Sequence, residues 1–131
     1  MPTYADVVAG VRAAMAAYTH ALDDGHTDDV VATFCVDGEC DIPGLGAHAG
    51  HDALRAAYAK VTPRVPQRHV VVNTLVTNWD EHEAKAVSDL VLLLRGNAGW
   101  AVQLVGRYYD TLHCDDGGAW RFHRRTAEFV T

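Results

Sequence analysis

The spacing of apolar residues changes once along this chain, and that switch limits the possible folds more than any other feature. As far as Val61 they recur at steps of three and four; from Gln67 onward they form β-branched runs. Tyr4, Val7, Val8, Val11, Met15, Tyr18 and Leu22 mark one stripe of a helix predicted over residues 4–23, with Thr3 to cap its start and Gly25 to end it. A short second helix begins at Thr27, where Asp28 and Asp29 meet the positive end of the helix dipole. It takes Val30, Val31 and Phe34 as its apolar face and stops near Asp37-Gly38. An extended stretch from Glu39 to Ile42 and a Pro43-Gly44-Leu45-Gly46 loop precede a third helix over about residues 51–61, ended by Pro63.

Four strands are predicted next: one from Gln67 through Val76, then Ala84 to Leu94, Trp100 to Leu112 and Trp120 to Val130. Asn78-Trp79-Asp80-Glu81, Gly96-Asn97-Ala98-Gly99 and Asp115-Asp116-Gly117-Gly118 suit turns between antiparallel neighbours. Helices first and an antiparallel meander second define an α+β domain, and 131 residues suit a single one. Several strands are apolar on both faces. Helices would cover one face and a second subunit the other, so a homodimer is expected.

The balance of 11 Lys plus Arg against 17 Asp plus Glu gives a formal charge of −6 without a concentrated cationic face, which argues against nucleic acid as a partner. No run reaches the roughly 20 apolar residues of a membrane span, and the first residues lack the pattern of a signal peptide; a cytoplasmic location is expected. Cys35, Cys40 and Cys114 include no Cys-x-x-Cys pair and read as reduced packing residues. The eight histidines contain no His-Glu-x-x-His arrangement, and His48 and His51 read as loop residues, so neither metal nor cofactor is expected.

Tyr18 through Phe34, Gly50-His51-Asp52-Ala53-Leu54, Arg68-His69, Gly106-Arg107-Tyr108-Tyr109-Asp110 and Gly118-Ala119-Trp120-Arg121-Phe122 together resemble the SnoaL-like branch of the nuclear transport factor two-like superfamily. The resemblance implies a cone-like curved antiparallel sheet packed on three N-terminal helices and enclosing a pocket. The branch includes scytalone dehydratase, hexachlorocyclohexane dehydrochlorinase and polyketide cyclases. The dehydratase and the dehydrochlorinase pair an aspartate at the end of the first helix with a histidine at the start of the first long strand; Asp23 and His69 stand at those places. A carboxylate that holds one imidazole N–H fixes the tautomer and leaves the other nitrogen to accept a proton.

Strand alternation puts His69, Val71, Asn73 and Leu75 on one face, which makes Asn73 a candidate amide for a substrate oxygen, and makes Tyr108 the candidate phenol of the cavity. Tyr18 stands where related ketosteroid isomerases carry an oxyanion-binding tyrosine, although Ile42 replaces their base aspartate. Arg107, Arg121, Arg124 and Arg125 offer cations, or pair with carboxylates such as Asp110 and Glu128. The expected function is a cofactor-independent elimination, dehydration or isomerisation of an apolar cyclic small molecule, with Tyr18, Asn73 and Tyr108 binding substrate. A non-catalytic binder of hydrophobic metabolites and an accessory subunit like the small chain of ring-hydroxylating dioxygenases are the alternatives.

Overall fold

The computed structural model describes residues 1–130. Helix α1 (Tyr4–Asp23) starts on a capping box: the Asp6 N–H donates to Thr3 Oγ1 at 3.1 Å and the Thr3 N–H to Asp6 Oδ2 at 2.9 Å. It buries Val7, Val11, Met15, Tyr18 and Leu22, as its stripe predicts. Its end is a Schellman turn in which Gly25 sits at φ +76°, the Gly25 N–H donates to the Leu22 carbonyl and the His26 N–H to the Ala21 carbonyl. Asp23 is thereby fixed as the last helical residue.

Helix α2 (Thr27–Ala32) is shorter than expected, and Phe34 belongs to strand β1 (Phe34–Ile42) instead. The Phe122 N–H donates to the Thr33 carbonyl at 2.8 Å, and the Phe34 ring packs against Tyr18, Tyr58 and Phe122. Long-range pairing and aromatic burial here override the helical pattern of the segment. A strand that the sequence pattern does not signal, β2 (Gly46–Ala49), folds back on β1, and α3 (His51–Ala59) stops before Val61.

Strands β3 (Gln67–Trp79), β4 (Glu83–Gly96), β5 (Gly99–Cys114) and β6 (Trp120–Val130) form the expected antiparallel meander. Beyond it, β1 joins β6 in parallel, so the sheet is mixed, in the order β2-β1-β6-β5-β4-β3. Register breaks that leave extra residues in β1, β3, β5 and β6 accompany its curvature around the helices, and the sheet stays unclosed. The architecture is the predicted α+β arrangement. No helix among the described residues is long and apolar enough to cross a membrane.

The main core joins α1, α2 and α3 to the concave face through Tyr18, Val30, Phe34, Leu54, Tyr58, Leu112 and Phe122. At Gly10 a Cβ would stand 2.3 Å from Trp120 Cδ1, so the indole packs where only glycine leaves room. Gly10→Ala gains about 1 kcal/mol of helix propensity, but the forced shift of the indole outweighs it, at about 1–3 kcal/mol. The expected outcome is a lower urea midpoint for the variant.

Candidate active site

The end of α1 and the start of β3 meet at one carboxylate. Asp23 Oδ1 accepts from His69 Nδ1 at 2.6 Å and from Gln67 Nε2 at 3.0 Å, and Asp23 Oδ2 accepts from the His69 backbone N–H at 2.8 Å. The two side chains are only 5% and 10% exposed for Asp23 and His69, so the pair is shielded from water. Burial alone would raise the Asp23 carboxyl; the bonds from the His69 ring, the His69 backbone and Gln67 outweigh it and hold the group below its ordinary value of 3.8. With Nδ1 committed to the carboxylate, Nε2 is the imidazole nitrogen left without a hydrogen-bond partner among the described residues.

His69 lines a pocket of about 330 Å³ whose walls are mostly apolar: Leu22, Ile42, Leu45, Leu90, Leu92, Leu104 and Phe129. Tyr18, Tyr108 and Gln67 supply its polar groups. The imidazole also borders a smaller recess of about 240 Å³ with Arg12, Thr19 and Thr74. We take the first pocket as the site because it holds both tyrosines together with the histidine.

Tyr18 Oη and Tyr58 Oη share a 2.7 Å hydrogen bond, and burial pushes the phenols of Tyr18 and Tyr108 above their ordinary value of 10.0. Behind them lies a fully buried guanidinium: Arg125 Cζ is 3.5 Å from the Tyr108 ring centroid and 4.3 Å from that of Tyr18. Arg125 Nε reaches Asp110 Oδ1 at 3.2 Å, a charge pair whose atoms lack aligned hydrogen bonds. Burial raises the Asp110 carboxyl to about 6 against the pull of Arg125.

The structure therefore unites four of the five predicted residues: Asp23, His69, Tyr18 and Tyr108. Asn73 is a correction. It takes φ +55° at a register break between Val72 and Leu75, which ends the alternation, and its exposed amide donates to Asp89 Oδ2 at 2.9 Å on the outer face. Sequence reasoning misses Gln67, although it precedes His69 by two and so shares its face. The four arginines also divide: Arg107, Arg121 and Arg124 pair with exposed or half-buried carboxylates, but Arg125 lies inside.

A curved sheet wrapped on three helices around a pocket is the architecture of a class of small α+β domains. The chain belongs to the SnoaL-like domain family, which matches residues 4–126. Among solved structures it is similar to a variant of Rv3472 of Mycobacterium tuberculosis, a protein of unknown function, at 25% identity and a TM-score of 0.86 over 95% of this chain and 72% of that one. A candidate scytalone dehydratase from Novosphingobium aromaticivorans superposes with a TM-score of 0.82 at 23% identity, covering 95% and 85% of the two chains. LinA does so with 0.81 at 19% identity, covering 95% and 86%. No curated protein sequence matches the chain.

Because the folded Asp23 carboxyl is held low, its ionised form adds stability that is fully present above 3.8 and is lost as the pH falls through the lower folded value. Urea unfolding of Asp23→Asn is expected to show a lower midpoint than wild type at neutral pH, the gap narrowing as the solution is taken below pH 3.8.

Proposed function

We propose that this chain is a small enzyme in which His69, held by Asp23, acts as general base on an apolar cyclic substrate, in an elimination, dehydration or isomerisation. The observation that carries this reading is the 2.6 Å bond from His69 Nδ1 to the Asp23 carboxylate at the wall of an apolar pocket. It orients the ring and stabilises the imidazolium that forms on proton uptake. In an elimination, Nε2 takes a proton from carbon, the C–H electron pair becomes the new double bond, and the leaving group departs with its own pair. Fold likeness to a candidate scytalone dehydratase and to LinA supports this chemistry.

The tyrosines have the complementary task. Kept protonated by burial, they are hydrogen-bond donors at neutral pH. When Tyr58 donates to Tyr18 across their 2.7 Å contact, the Tyr18 proton is free for a substrate oxygen or a leaving anion. Arg125, stacked behind both rings, adds a positive field at short range in a dry environment.

The test is exchange of carbon-bound hydrogen in D₂O, followed by NMR over a panel of apolar cyclic ketones, alcohols and halides. Wild type is expected to exchange or eliminate at least one of them, and His69→Ala to slow that reaction by about 10²–10⁴-fold with ligand affinity nearly unchanged. Ligand binding with no turnover in wild type would establish a non-catalytic container instead.

We also propose that a second copy of the chain covers the outer face of the sheet. Val70, Val91, Val105 and Val130 are successive register partners across β3, β4, β5 and β6, and three of them are exposed. An apolar row across four strands suits an isologous contact. Light scattering at micromolar concentration is expected to give a dimer mass for wild type and a monomer mass for Val105→Asp; a monomeric wild type would remove the idea.

A further inference from the structure

We propose that Cys35, His113 and His123 form a binding site for a zinc ion on the outer side of the sheet. Each follows a fully buried core residue, Phe34, Leu112 and Phe122, and is itself only half-buried. They come from the adjacent strands β1, β5 and β6, and their candidate ligand atoms all lie within 4.8 Å of one another. Two irregularities bring them together. The β1–β6 register breaks between Phe34 and Glu39, and the β5–β6 register breaks where Thr111 and Leu112 face Arg124 and Phe122, leaving His123 as the unpaired extra residue. Such bulges re-aim side chains and are frequent beside functional sites.

The surroundings of the cluster point to a cation. His123 Nδ1 is buried with no hydrogen-bond partner among the described residues, an arrangement that is unfavourable unless something else binds the lone pair. His113 Nε2 is held by Glu83 Oε2 at 2.9 Å, the carboxylate partner that zinc-binding histidines usually have on their other ring nitrogen. That leaves His113 Nδ1 as donor. A cleft of about 510 Å³ beside Cys35, His113, His51 and Arg121 provides a route in.

One thiolate and two imidazoles suit a borderline cation such as zinc. Zinc bond lengths place tetrahedral donors about 3.3–3.8 Å apart, so the cluster closes by small movements. The imidazole rings of His113 and His123 are stacked 4.2 Å apart at 14°, side by side on one patch of the sheet. Asp37, whose Oδ1 lies 3.8 Å from His123 Nδ1, or a water completes the set. The ion would tie the three strands together, including the parallel β1–β6 pair.

The experiment titrates the chelator-treated 131-residue chain with Co²⁺ and, by calorimetry, with Zn²⁺. One cobalt per chain is expected, with the d–d bands of tetrahedral coordination and a thiolate-to-cobalt charge-transfer band. That band should disappear in Cys35→Ser and persist in Cys114→Ser, while Glu83→Gln weakens zinc binding by about 10–100-fold. Absence of the charge-transfer band in wild type, or its survival in Cys35→Ser, overturns the proposal. The wild-type spectrum decides without relying on any variant's folding.

Discussion

A buried carboxylate must be saturated with donors or it cannot stay ionised, and Asp23 meets that demand with three. All three come from the first residues of β3, whereas Asp23 itself ends α1. The same bonds that keep the charge inside therefore fasten the longest helix to the sheet edge and set the rotation of the His69 ring. The docking of α1 and the orientation of the His69 ring depend on one group. The Schellman turn at Gly25 ends the helix directly after this carboxylate.

A second polar element lies deeper. Arg125 and Asp110 are both fully buried, and their mutual attraction offsets only part of the loss of water. Around the guanidinium stand the rings of Tyr18, Tyr108 and Phe122, which accept the cation on their faces. The pocket's walls are apolar, but the Arg125–Asp110 pair sits behind its tyrosines, with the guanidinium against the rings.

Much of this was legible from residue spacing. The stripe from Val7 to Leu22, the β-branched runs after Gln67 and the turn signals are local properties, and local properties decide α1 and the β3–β6 meander. The Asp23–His69 pair was legible only because the chain resembles a family that places such a pair there. What escaped is non-local. Phe34 leaves its helical pattern for a ring cluster and for pairing with β6; Asn73 turns outward because a bulge interrupts alternation; Arg125 differs from Arg124 only in which face a register break assigns it. The cluster of Cys35, His113 and His123 had no spacing signature, because its members are distant in sequence and meet through register alone.

The parallel pairing of β1 with β6 has a consequence for the order in which the chain assembles. Glu39 and Arg124, partners across that pair, are separated by 85 positions. During synthesis the three helices and β1 leave the ribosome long before β6 exists to receive them. Until then Phe34 has no Phe122 beside it, and the apolar stripe of α1 has only part of its sheet. Closing so long a loop late makes nascent intermediates sticky, and their lifetime is governed by translation speed and chaperone capture rather than by the strength of the finished core.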